Sequence, residues 1–234
     1  GFGIAGSLLG APDIGLVTAT EMADRVRALA EAAGPAPLIA DGDNGHGGPR
    51  NTARLTRLYE QAGAACIQLE DQVLPKRCGH MAGKAVVPVE DAVARLKAAV
   101  EARRDPDFRI MARTDAIATH GLDEALRRAD AYLTAGADLL FVEAPRDLDE
   151  MAAIARRFPG VPLVANMVED GATPGLDVAS LGEIGFALVI HPVSALLVAA
   201  KALDGAYRRL LATGGLPADW PRLGFADYNS RMGL

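Results

Sequence analysis

Cysteine is scarce in this chain: Cys66 and Cys78 are the only two in 234 residues. A disulfide scaffold needs at least a four-cysteine framework, and Cys66 lies inside an apolar run, so reduced thiols in a cytoplasmic protein are expected. Long apolar runs are missing too. None reaches the roughly 18 residues needed to span a bilayer, and the opening Gly1-Phe2-Gly3 has neither the basic segment nor the apolar core of a signal peptide, so no membrane partner is expected. Positive charge is in deficit, with 24 Lys and Arg against 30 Asp and Glu and a net charge of -6. No basic stripe interrupts that balance, which excludes nucleic acid as the expected partner. No break in composition divides the chain into two domains. Half the residues are hydrophobic, enough for a sizeable core.

The segments that are present alternate helix with strand. Thr18 or Thr20 can cap a helix whose apolar face is Met22, Val26 and Leu29, and Gly34-Pro35 stops it. Pro37–Ala40 reads as a short strand, followed by the turn Asp41-Gly42-Asp43-Asn44-Gly45. A helix from about Asn51 to Ala62 closes at Gly63, and Ala64–Leu69 is the next strand. The alternation continues with helix Pro88–Arg104, strand Phe108–Ala112, helix Leu122–Ala135 and strand Asp138–Val142. Helix Asp149–Arg157, strand Val161–Ala165, a short helix about Ser180–Glu183, strand Phe186–Ile190 and a long helix about Ser194–Ala212 complete it.

Strands that read as continuous apolar runs between helices predict a parallel sheet covered on both faces. An open doubly wound sheet would normally offer a GxGxxG fingerprint, and none is present. Polar residues also mark the tip of every strand, not those at one crevice. The expectation is therefore an α/β fold, a (β/α)8 TIM-type barrel forming one domain over residues 1–234. Six strand–helix units are visible, with a seventh implied at Gly1. An eight-stranded barrel needs eight, so an N-terminal truncation of roughly 40 residues is expected from a typical barrel of about 250.

In such a barrel the loops after the strands share one face. Asp41 and Asp43, Glu70 and Asp71, Arg113 and Asp115, Glu143, Asn166 and His191 should converge there, joined by Asp13. Acids gathered at one point repel unless a cation joins them, and all-oxygen ligands suit Mg2+ or Mn2+. Mg2+ takes one or two carboxylates directly and reaches others through water. Zinc is disfavoured, because Cys78-Gly79-His80 supplies two ligands and no second pair at zinc spacing exists. After Glu70 the chain places Lys76, Arg77, Cys78 and His80 within five positions. Neighbouring cations favour the thiolate, which makes Cys78 a candidate for chemistry. Blander readings compete at each position. Asp41 and Asp43 could bond their own turn, Arg113 could neutralise Glu143, Cys78 could be inert and His191 a wall residue. His46 and His120 are expected in solvent.

The segments Leu9–Gly15, Asp41–Gly45, Glu70-Asp71-Gln72 with Pro75–His80, Ala112–Ala116, Phe141–Pro145 and Ala165-Asn166-Met167 occur in order along the whole chain. With them the sequence resembles the isocitrate lyase/phosphoenolpyruvate mutase superfamily, nearest to its petal death protein, 2-methylisocitrate lyase and dimethylmalate lyase-like members. The resemblance implies a Mg2+-dependent carbon–carbon lyase acting on a small 2-hydroxy diacid. It makes Asp41, Asp43 and Glu70 the metal residues and Gly1, Phe2, Gly3, Asp13, Arg113 and Asn166 the substrate-binding ones. Cys78, Arg113, Lys76, His80 and Glu143 become the catalytic set, with Cys78 on a lid as proton donor. It also implies a homotetramer, a dimer of dimers that swap the last helix. A carboxyphosphonoenolpyruvate or phosphoenolpyruvate phosphonomutase and an oxaloacetate hydrolase or decarboxylase remain alternatives in the same fold. A non-catalytic diacid-binding barrel is disfavoured by the intact Asp41, Asp43, Glu70, Arg113 and Cys78.

Overall fold

The apolar runs form six parallel strands: β1 (Ile39–Asp41), β2 (Cys66–Glu70), β3 (Arg109–Thr114), β4 (Leu139–Val142), β5 (Val164–Asn166) and β6 (Leu188–Ile190). The computed structural model describes residues 1–77 and 83–233, so Cys78 and His80 lie outside the described residues. Strands β1 to β4 pair side by side in chain order, as do β5 and β6. A parallel bridge between Leu140 and Leu163 leads from β4 towards β5. A doubly wound sheet reverses its strand order at a switch point. This one does not, and it has the sequential order of a TIM-type barrel.

Helices lie between the strands: α1 (Ala19–Ala33), α2 (Pro49–Gln61), α3 (Val89–Ala102), α4 (Leu122–Thr134), α5 (Leu148–Arg157) and α6 (Val178–Ile184). Local chemistry sets their ends. Thr18 Oγ1 accepts from the Glu21 backbone N–H while Glu21 Oε2 accepts from that of Thr18, a capping box that starts α1. Pro49 opens α2, where its missing N–H is no loss. The chain opening is helical from Phe2 to Leu9.

Alternation along the strands separates two apolar layers. Ile67, Leu69, Ile110, Ala112, Leu140 and Val142 belong to the large cluster that includes the helix residues Leu55, Leu96 and Met151. Cys66, Met111, Leu139, Phe141 and Val164 form a second cluster on the other face. That second face is the interior, and each strand carries it upward to the tip residues. The described chain divides into two compact units, Gly1–Val193 and Ser194–Leu234. The second holds α7 (Ser194–Thr213) and α8 (Phe225–Arg231), neither of which buries a residue. Among the described residues no helix is long and apolar enough to cross a membrane.

Burial, helped by the Asp138 carboxylate and outweighing the opposing pull of the Met111 backbone and Arg109, pushes the Cys66 thiol up to about 12. We therefore expect Cys66 to resist iodoacetamide in the native protein at pH 8 and to react after guanidinium unfolding. Peptide mapping reads the result, and native labelling of Cys66 at the unfolded rate would contradict the interior placement.

Candidate active site

The inward positions at the strand tips meet in a cavity of about 370 Å³. Asp41, Gln68, Glu70, Arg113, Phe141, Asn166 and Ile190 line it from the strands, and Gly1, Phe2, Gly3, Asp13, Lys76, Glu143, Val168, His191 and Val193 from the connections. The register explains the meeting: Asp41 stands beside Gln68, Glu70 beside Arg113, and Arg113 beside Phe141. Charged side chains share this lining with apolar ones, Phe2, Phe141, Val168, Ile190 and Val193.

The turn after β1 is shaped by close approach. A Cβ on Gly42 would stand 2.8 Å from the Gln68 carbonyl oxygen, so only glycine fits where the Gly42 N–H donates to that same oxygen. Asp41 Oδ1 accepts from the Asp43 backbone N–H at 3.0 Å and from Gln68 Nε2 at 3.2 Å. The turn-stabilising role is thus real, but it uses one oxygen. Asp41 Oδ2 faces the cavity side and lies 2.5 Å from the Gly1 nitrogen. Lys76 Nζ bridges two acids, 2.5 Å from Asp13 Oδ1 and 2.6 Å from Asp43 Oδ1. Burial opposes the charge on Lys76, but Asp43, Asp41, Glu70 and Asp13 outweigh it and hold the ammonium above its ordinary range.

Arg113 is the centre of a second charged group. Asp115 grips it bidentately, at 2.9 Å to Nε and 3.1 Å to Nη2. Glu143 stands 3.4 Å from Nη2, Glu70 3.5 Å from Nε, and the Phe141 ring lies 4.9 Å from the guanidinium carbon. Burial works against ionised Asp115, yet Arg113 and Lys84 hold its carboxyl at about 2. Asn166 Nδ2 donates to both Glu143 oxygens, at 3.3 and 3.2 Å. The pairing of Arg113 with Glu143 therefore exists, but Asp115 is the tighter partner.

Asp43 and Asp115 stand behind the cavity lining, held by Lys76 and Arg113, and two further expectations are corrected by the geometry. Asp71 does not join the cavity. Strand alternation turns it outward, where it accepts from Thr114 Oγ1, the Asp115 N–H, Arg128 Nη1 and Tyr132 Oη within 3.1 Å. His46 is not in solvent: its Nε2 is buried, 3.7 Å from Asp43 Oδ2, and burial lowers its pKa despite the neighbouring acids. His191 lines the cavity wall, and His120 is exposed beside Thr119. Lys84, Arg128 and Tyr132 were not singled out from the sequence. No periodicity signals these roles: Arg128 has a local partner in Glu124, but the acids Asp115 and Asp71 lie 31 to 61 residues from the groups that bind them.

Among the described residues no three His, Cys, Asp or Glu side chains are grouped to ligate one ion directly. The donor set nonetheless fits a hydrated hard cation, which takes few direct carboxylates. It is all oxygen, and Glu70 Oε1 is buried with no hydrogen-bond partner among the described residues. Burial pushes Glu70 well above the usual carboxylate range, with Arg113 opposing, as expected of an acid that lacks a closer cation.

The family described as phosphoenolpyruvate phosphomutase matches residues 1–211. A 2,3-dimethylmalate lyase of Eubacterium barkeri is 48% identical over 100% of this chain and 81% of its own. A 2-methylisocitrate lyase of Bacillus subtilis is 45% identical over 83% of this chain and 64% of its own. Among solved structures, a 2,3-dimethylmalate lyase superposes with TM-score 0.94 at 37% identity, covering 99% of this chain and 77% of that one. An oxaloacetate acetylhydrolase bound to 3,3-difluorooxalacetate gives 0.93 at 34%, covering 100% and 79%. A phosphonopyruvate hydrolase complexed with oxalate and Mg2+ gives 0.83 at 31%, covering 98% and 80%.

Gly42→Ala should cost about 1–3 kcal/mol, the usual cost of overpacking, and displace Asp41 and Asp43. Chemical denaturation measures the first and Mg2+ affinity the second. Wild-type stability in that variant would show that the turn yields.

Proposed function

The chain belongs to the isocitrate lyase/phosphoenolpyruvate mutase superfamily, and from that premise we propose that it is a Mg2+-dependent carbon–carbon lyase. Its substrate is a 2-hydroxy diacid, a 2-alkylmalate or 2-methylisocitrate-like compound, cleaved to a 2-oxo acid and a carboxylate. The observation that carries this reading is the mixed cavity lining, in which Arg113 and the acids stand together with the apolar Phe2, Phe141, Val168, Ile190 and Val193. A small diacid with alkyl substituents combines the same two characters.

Asp41 would be the nearest metal carboxylate, with Asp43, Glu70 and Asp13 acting through bound water; Mn2+ could substitute. When bound, the ion supplies Lewis-acid stabilisation of negative charge on the substrate oxygens. Backbone groups of Gly1, Phe2 and Gly3 would hold the carboxylate of the 2-oxo half, and Asn166 would line the pocket beside it. A base removes the hydroxyl proton, the electrons of the carbon–carbon bond leave with the departing carbon, and a carbonyl forms on the other fragment. Arg113, fixed in plane by Asp115, would meet the oxygen on which charge develops. Cys78 would give its thiol proton to the carboxylate-stabilised carbanion. Lys76, His80 and Glu143 complete the catalytic set, Lys76 by holding Asp13 and Asp43 together and Glu143 by steadying Arg113.

Oxaloacetate offers the same charged frame, so its hydrolysis or decarboxylation is the second reading, favoured by the likeness to oxaloacetate acetylhydrolase. A phosphonomutase needs no proton donor at carbon, so the assignment of Cys78 stands against it. The same reading would make it a cytoplasmic enzyme with residues 1–234 in a single barrel domain. Its assembly would be a homotetramer of helix-swapped dimers, in which α7 finds on a second copy the partner its unburied length requires.

Incubation of 2-alkylmalates, 2-methylisocitrate, oxaloacetate and a phosphonate ester with Mg2+ should release a 2-oxo acid from a substituted malate or methylisocitrate, and EDTA should abolish it. Rearrangement of the phosphonate with no diacid cleaved would sink the lyase reading. Cys78→Ser should lower turnover by roughly 10²-fold, the scale of general acid catalysis, and leave oxalate binding intact. Unchanged turnover would remove Cys78 from its role.

A further inference from the structure

Lys84 lies outside the cavity lining, yet its side chain is 3% exposed and its Nζ donates to Asp115 Oδ1 at 2.8 Å. The same Oδ1 accepts from Arg113 Nη2 at 3.1 Å. One carboxylate oxygen is thus shared between the cavity arginine and a buried lysine that never reaches the cavity. The backbone around Lys84 is fixed: the Val73 N–H donates to the Ala85 carbonyl, the Val87 N–H to the Asp71 carbonyl, and Gln72 bridges Val86 antiparallel. Asp115 is fixed as well, its N–H donating to Asp71 Oδ1 at 2.9 Å.

Charge balance gives the sharing its consequence. Arg113 faces three acids, Asp115, Glu143 and Glu70, within 3.5 Å. A guanidinium so surrounded has little positive potential left for a further anion. A second cation on Asp115 reverses that by taking part of the carboxylate charge, and in a buried site the effect is screened little.

We propose that Lys84 is a positioning residue for Arg113: by sharing Asp115 it holds the guanidinium plane in place and leaves it cationic towards an anionic substrate oxygen. This rests on the reading that Arg113 binds such an oxygen. The test measures oxalate binding by calorimetry with Mg2+ present, and kcat and KM for the cleaved diacid, in Lys84→Met, Lys84→Arg, Asp115→Asn and the double variant Lys84→Met/Asp115→Asn. Lys84→Met should weaken oxalate binding and raise KM roughly tenfold, the scale of coupling within one network, and Lys84→Arg should restore most of the loss. In the Asp115→Asn background the Lys84→Met change should cost almost nothing further. If Lys84→Met unfolds, Lys84→Gln, which keeps a donor and removes the charge, carries the same expectation. Unaltered oxalate affinity in the uncharged variants, or losses that multiply independently in the double variant, would overturn the proposal. Arg113→Met binding oxalate as tightly as wild type would instead remove the premise about Arg113, and the proposal with it.

Discussion

Asp13, Glu70 and half-buried Asp41 line one cavity, with buried Asp43 behind Lys76, and their mutual repulsion is the constraint to which the rest of the site answers. Acids withdrawn from water must be paired, hydrated by a shared cation or protonated. Two of these responses are visible. Lys76 spans Asp13 and Asp43, Arg113 draws Glu143 and Asp115, and Glu70, with one oxygen unsatisfied, is pushed towards its protonated form. An arrangement of this kind is costly for stability alone, since buried ion pairs seldom repay their desolvation. Its value is chemical, in preorganised charge of both signs within one small volume.

The fold supplies that volume through a simple rule. Parallel strands in chain order put all their carboxyl-terminal tips at one end, and a period of two decides which tip residue faces inward. Glu70 and Asp71 show what one residue of difference does. Glu70 points into the cavity; Asp71 points out and collects Thr114, Asp115, Arg128 and Tyr132 into a knot that ties β2 and β3 to α4. Breaking such a buried charge pair by removing one partner costs about 3–5 kcal/mol, so the knot is a structural element despite standing next to the chemistry.

The sequence disclosed the strands because both of their faces are covered and they read as unbroken apolar runs. It disclosed their ends less well: the strand expected at Val161–Ala165 begins at Val164, since Pro162 cannot donate to a ladder. The inward acids, Arg113 and Asn166 were legible as polar residues closing apolar runs. The partners Lys84, Arg128 and Tyr132 were not, because an ion pair between distant segments leaves no local pattern. His46 was missed for a related reason: its glycine-rich surroundings suggested an open loop, whereas the turn folds inward beside Asp43.

The apolar wall has a consequence for how such a protein could change its diet. Phe2, Val168, Ile190 and Val193 take no part in the ion pairs around Arg113 and Lys76, whereas the Phe141 ring lies 4.9 Å from the Arg113 guanidinium carbon. Exchanging one of those four would reshape the space for a substrate's side group while leaving the charged contacts in place. Selectivity and reactivity are thereby held in separate parts of one cavity, so the catalyst can be retuned piecemeal, one panel of the wall at a time.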